Sequence, residues 1–263
     1  QDIRWLSIAK WDACLGPIAA PLELFRSLAG RKSYAALDLG STDDLSAFAQ
    51  VFPPAVTSTA IAGEAAAPSP AASSAPPFSV VMRYWMPEEN VAARTRRSGI
   101  DYSSWSRACH CHRGGDPLAC QALIHLTPGP VTDYDFILRD ILAIHEVTPI
   151  EELAIDPHLF AKLYNDLTNN GINAFKHLQG FISMGFAVKE LERAILGKLL
   201  LHAADPVTRW MLGNIVASFD PAGNIKFNKK KSSEKIDGPV ALAMAMGRAS
   251  LNLQKPVPRA IVI

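Results

Sequence analysis

The sequence predicts an α/β fold built on one mixed sheet with helices on both faces. Three observations carry this. Strand-like runs follow one another at 33–39, 45–52 and 78–86 with no helical pattern between them, the spacing of an antiparallel series. From residue 123 onward, apolar runs of strand length alternate with stretches of helical periodicity, the pattern of strands joined by crossover helices. The chain has 263 residues, 49% hydrophobic and 19% charged, which suffices for one large core and rules out wholesale disorder.

The elements follow in order. Residues 1–32 read as a lead-in: Trp5, Leu6, Ile8 and Trp11 are apolar, Pro17 and Pro21 interrupt any long helix, and 21–28 is a short helix stopped by Gly30. The first strand rises through Tyr34, Ala36 and Leu37 to Asp38, a polar turn occupies 40–44, and the second strand closes at Pro53 and Pro54. Residues 57–77 are rich in Ala, Ser, Thr and Pro with almost no charge, and are expected to form a mobile loop before the third strand. A charged helix at 88–98, a cysteine-bearing insert at 108–121 and a short strand at 123–126 come next. The helix at 133–146 carries Ile137, Ile141 and Ile144 at helical spacing, and the strand at 150–155 ends in Asp156 and Pro157. A helix at 158–169 stops at Gly171, and a strand follows at 172–178. Then come an amphipathic helix at 188–196, a short strand at 198–201 and a helix from the capping Asp205 to Ala217. A basic loop at 226–235 leads to a final helix at 238–250.

Lys and Arg number 26 against 25 Asp and Glu, a net charge of +1, which excludes a uniformly basic nucleic-acid coat and leaves only local patches for such contact. Four cysteines are too few for a disulfide scaffold of this size. No apolar run of about 18 residues predicts a membrane span, and no signal-peptide pattern opens the sequence. The first residue, Gln1, reads as the start of a fragment of a longer protein.

Three acids sit at the ends of elements: Asp38 and Asp156 close strands, and Asp237 opens the last helix. Sites in open α/β sheets form at the carboxyl ends of parallel strands, so adjacent parallel strands would bring Asp38 and Asp156 together, with Asp237 reaching the same point. A carboxylate set without nearby Cys or His suits Mg²⁺ or Mn²⁺, and a pair of such ions about 3.5–4 Å apart hydrolyses phosphodiesters. Taken singly, each of these acids is more often a turn or helix cap than a catalytic group, and their spacing matches no fixed rule.

At these residues the sequence resembles the nuclease domain of the large terminase subunit of tailed bacteriophages. The resemblance runs through Tyr34-Ala-Ala-Leu-Asp-Leu-Gly-Ser-Thr-Asp-Asp-Leu45, Tyr84-Trp-Met-Pro-Glu-Glu-Asn90, Ala154-Ile-Asp-Pro157, Gln179-Gly-Phe-Ile-Ser-Met184 and Asp205-Pro-Val-Thr-Arg-Trp-Met211. The most specific block is Gly223-Asn-Ile-Lys-Phe-Asn-Lys-Lys-Lys-Ser-Ser-Glu-Lys-Ile-Asp-Gly238. The resemblance implies an RNase H-like fold and a metal-dependent endonuclease that cuts concatemeric double-stranded viral DNA during packaging in the host bacterial cytoplasm. It implies two Mg²⁺ or Mn²⁺ ions and an acidic triad at Asp38, Asp156 and Asp237. It also implies three partners: an ATPase domain in the full-length protein, a portal and a small terminase subunit. No phosphate-binding loop of the Gly-x-x-x-x-Gly-Lys-Ser/Thr type occurs, so this chain is expected to cut DNA and not to pump it. On this reading 33–252 is the nuclease domain, 1–32 a linker from an ATPase domain and 253–263 a tail. Two other readings compete: a DNA-gripping or portal-docking module that cuts only in the full assembly, and a resolvase-like nuclease of the same fold.

Asp43 and Asp44 follow the first acid and either help hold a second ion or form a polar turn, the latter being favoured. Lys226, Lys229, Lys230, Lys231 and Lys235 lead into Asp237 and are expected to meet the DNA backbone. Arg94, Arg96 and Arg97 form a second basic cluster, read equally as DNA contact or solvated face. Cys109, Cys111 and Cys120, with His110 and His112 between, have zinc-ligand types, but a single residue between the first two is not the usual spacing.

Overall fold

The computed structural model describes residues 2–40, 45–55 and 77–253. Asp43, Asp44, nearly all of the 57–77 loop and the tail after Leu253 lie outside the described residues. The chain runs through β1 (Asp2–Arg4), α1 (Ile8–Asp12), α2 (Pro21–Ser27), β2 (Ser33–Asp38), β3 (Ser46–Phe52) and β4 (Phe78–Pro87). It continues through α3 (Val91–Ser98), α4 (Tyr102–Ser106), β5 (Ile124–Thr127), α5 (Tyr134–Val147), β6 (Ile150–Ile155), α6 (Pro157–Asn169) and β7 (Ala174–Lys176). It closes with α7 (Phe181–Leu196), β8 (Leu200–His202), α8 (Pro206–Gly213), β9 (Val216–Phe219), β10 (Ile225–Phe227) and α9 (Asp237–Leu253).

The main sheet has the order β5-β4-β3-β2-β6-β7. β2, β3 and β4 are antiparallel neighbours, as the three successive strand patterns require. β6 then joins β2 in parallel, with Leu37 opposite Ile155, and β7 joins β6 in parallel. β5 and β8 share the outer edge of β4, each parallel to it. An antiparallel three-strand start that switches to parallel pairing on the first strand is the RNase H-like arrangement expected above.

Strand alternation divides the core into two layers. Ala36 and Ala154 face one layer, with α7, α8 and α9, whereas Leu37, Leu153 and Ile155 face the other, with α2, α5 and α6. α9 is buried along nearly its whole length, and its Ala and Met side chains lie against the sheet, as an apolar helix without a polar stripe must. Gly247 lets α9 and α7 approach closely, since a Cβ there would stand 3.0 Å from that of Ala187.

Residues 1–32, read as a lead-in, carry regular elements of their own that pack on the rest of the chain. β1 pairs with β9, and β9 with β10, in a second antiparallel sheet; Trp5 packs edge-on against Phe227 with centroids 4.7 Å apart, and Trp11 stacks on His202 at 3.9 Å. The helix expected from Asp205 to Ala217 ends at Gly213, because the backbone of Val216 and Ala217 is claimed by β1 and β10. Asp205 does cap α8, its carboxylate accepting from Val207 N–H at 2.9 Å.

Candidate active site

The same alternation that fills the core positions the acids. Tyr34, Ala36 and Asp38 share one face of β2, and Asp156 continues the face of Ala154 on β6, both on the side covered by α9. Asp38 is therefore carried to the first turn of α9, where Asp237 sits buried in the field of the helix N-terminus.

Between these two carboxylates lies the ammonium of Lys229. Its Nζ stands 2.6 Å from Asp38 Oδ2 and 2.9 Å from Asp237 Oδ1. Gln179 Nε2 donates to the other oxygen, Asp38 Oδ1, at 3.1 Å. Asp237 Oδ2 is buried and accepts no hydrogen bond among the described residues. Burial is the largest influence on Asp38 and pushes its carboxyl up to about 6; Lys229 opposes the rise and Asp237 adds to it. Burial works against the Lys229 ammonium too, but the two carboxylates outweigh it and hold the group above its ordinary range.

The site thus has the donor set of a hard cation: buried carboxylate oxygens bracketing one positive charge, with an unsatisfied oxygen beside it. The Lys229 ammonium occupies the position between the carboxylates. Asp156 is at the end of the adjacent parallel strand, but the three carboxylates do not close into a tight set. Among the described residues the only three potential ligand atoms within 4.8 Å of one another are those of Cys109, Cys111 and Cys120.

The basic residues separate. Lys229, expected at the DNA backbone, is engaged with the carboxylates. Lys226 has its ammonium 4.5 Å from the centroid of the Phe181 ring. Lys230 and Lys231 are exposed, with their backbone N–H groups held by Asn228 Oδ1, and Lys235 is half-buried. The loop is bracketed by Val216, whose carbonyl accepts from Asn228 N–H at 2.9 Å and whose N–H donates to Ser232 Oγ at 3.2 Å. Arg94 is corrected as a surface contact: it is buried with its guanidinium over Tyr102, while Arg96 and Arg97 are exposed on α3. Gln179 had no assigned role in the sequence, since an amide just before a helix carries no spacing signal.

An RNase H-like sheet with buried acids at the junction of its antiparallel and parallel halves defines the class as a nuclease domain. Residues 126–252 match the family described as terminase large subunit, endonuclease domain. The large terminase subunit of Enterobacteria phage HK97 is 30% identical over 249 residues, covering 94% of this chain and 41% of that protein. Protein YmfN of Escherichia coli (strain K12) is 31% identical over 180 residues, covering 66% of this chain and 37% of that protein. The crystal structure of the HK97 large terminase superposes with a TM-score of 0.72 at 27% identity, over 94% of this chain and 44% of that one. The chain spans less than half the length of these relatives. It belongs to the nuclease domains of the phage terminase large subunits.

Proposed function

We propose that this chain cleaves double-stranded DNA during genome packaging, by divalent-metal-dependent phosphodiester hydrolysis with little sequence preference. The observation that carries the reading is the pair of buried carboxylates, Asp38 and Asp237, clasping a single positive charge at a strand end and a helix start. Asp38, Asp237 and Asp156 would hold Mg²⁺ or Mn²⁺, two ions in the full site. Bound there, such ions activate water and stabilise the leaving oxygen. Gln179 orients Asp38 through Oδ1 and leaves Oδ2 for the cation. Lys229 places a compensating positive charge against both acids in a buried setting and has to swing out when a divalent ion arrives. Its side chain is 42% exposed, which leaves it room to do so and to meet a phosphate. Lys230 and Lys231 extend that contact along the backbone. The substrate, an ATPase domain, the portal, the small subunit and a site of action in the host cytoplasm belong to the same proposal, by way of the HK97 relative.

The test is plasmid cleavage with Mg²⁺, Mn²⁺ or chelator. Cleavage with metal, absent in Asp38→Ala and Asp237→Ala variants that remain folded, is expected. Activity that survives Asp38→Ala refutes the site. A second reading, DNA gripping with cutting only in the full assembly, is favoured by Lys229 already filling the carboxylate pair. Binding of DNA without cleavage in either metal would select it.

A further inference from the structure

The insert at 108–121 has little regular structure, a single short turn at Cys111–Arg113, yet two of its cysteines are as buried as core residues. Cys109 is 3% exposed and Cys111 4%, while Cys120 is half-buried. Their three sulfurs lie within 4.8 Å of one another, and all three are free thiols. We propose that Cys109, Cys111 and Cys120 bind one zinc ion, which fastens the insert to the edge of the sheet.

Four features support a built site. First, Zn–S bonds of about 2.3 Å place tetrahedral ligands about 3.8 Å apart, so these sulfurs close on an ion with shifts of about an ångström or less. Second, a backbone donor is aimed at sulfur: Leu126 N–H of β5 donates to Cys109 Sγ at 3.1 Å, an arrangement that stabilises thiolate. Third, the chain doubles back after the Cys-x-Cys pair. Gly114 has φ +84°, and a Cβ on Gly115 would stand 2.9 Å from the His110 carbonyl. The close turn overcomes the short spacing, because Cys120 closes the set from the far arm. Fourth, the surroundings are polar and buried. His125 Nδ1 is 3.7 Å from Cys111 Sγ and 3.4 Å from Arg83 Nη1, with the Asp140 carboxylate 3.7 Å away. A buried guanidinium beside three thiolates offsets the net negative charge they keep after binding a divalent ion. The soft donors separate this site from the hard carboxylate site.

The experiment takes the whole chain, purified without chelator. Mass-spectrometric metal analysis should find one zinc per chain, retained in Asp38→Ala and lost in Cys120→Ser. Replacement of zinc by Co²⁺ should give an intense sulfur-to-cobalt charge-transfer band, and X-ray absorption should give three sulfurs and one nitrogen or oxygen around the ion. Should a cysteine variant fail to fold, the Co²⁺ spectrum of the wild-type chain decides alone. Folded wild-type protein with no stoichiometric zinc and no charge-transfer band overturns the proposal. So does full zinc in a folded Cys120→Ser variant, or a disulfide among the three cysteines of metal-free protein.

Discussion

Asp38→Asn is expected to abolish cleavage and, without metal, to make the protein more stable. The Asp38 carboxyl is buried, and its pKa is pushed up to about 6 from an ordinary 3.8. The folded state thus binds the proton more tightly than the unfolded chain does. The associated stability is fully present below about pH 4 and is lost as pH rises through about 6. A difference of about 2 units corresponds to about 3 kcal/mol. Asn mimics the protonated form. Its amide oxygen accepts from Lys229 if Gln179 turns its own amide to accept in return. The metal-free variant should therefore gain up to about 3 kcal/mol at pH 8, or about 6–12 °C in Tm for a domain of this size. The gain should vanish near pH 4, where both proteins carry an uncharged group. Differential scanning calorimetry in chelator at the two pH values measures this directly. Adding Mn²⁺ should raise the Tm of the wild type and not of the variant, reversing the order. A variant less stable than wild type at pH 8, or a gain that persists unchanged at pH 4, would show that burial is not what sets the Asp38 charge.

Three further outcomes follow from the structure. Lys229→Met leaves two acids facing each other; breaking such a pair costs about 3–5 kcal/mol when fully buried, reduced here to about 1–3 by the exposure of the lysine. Its metal-free Tm should fall, and its Mn²⁺-induced rise should exceed that of the wild type; equal rises would mean that Lys229 does not compete with the ion. Gly238→Ala drives a methyl into the Tyr84 hydroxyl and to 3.0 Å from Met211 Sδ, and should cost about 1–3 kcal/mol in denaturant unfolding while displacing Asp237. Lys230→Ala with Lys231→Ala should weaken DNA binding and flatten the salt dependence by about 1.8 in log–log slope if both meet phosphates; an unchanged slope removes them from the interface.

The parts of the site that rest on alternation were legible in the sequence. Asp38 falls two residues after Ala36, and Asp156 two after Ala154, so a sheet that pairs those strands in parallel must put both acids on one side. Lys229 was visible as charge but not as a clamp, because its role depends on a loop returning over the sheet. Arg94 was misjudged for the same reason: charge patterning does not reveal a guanidinium buried on an aromatic ring. The three-residue strands β1 and β10 are too short to show any period; both exist through pairing with β9, which for β1 lies over 200 residues away in sequence. The cysteines announced their chemistry by type, but their convergence needed the turn at Gly114 and Gly115.

The small sheet gives the molecule a mechanical linkage. Arg4 lies in register with Val216, and Val216 grips both flanks of the loop that carries Lys229, at Asn228 and at Ser232. The chain's first strand and the lock on its carboxylates are thus rungs of one ladder. β1 and the loop that positions Lys229 therefore share one residue, Val216, so a side chain that distorts the backbone there disturbs both at once.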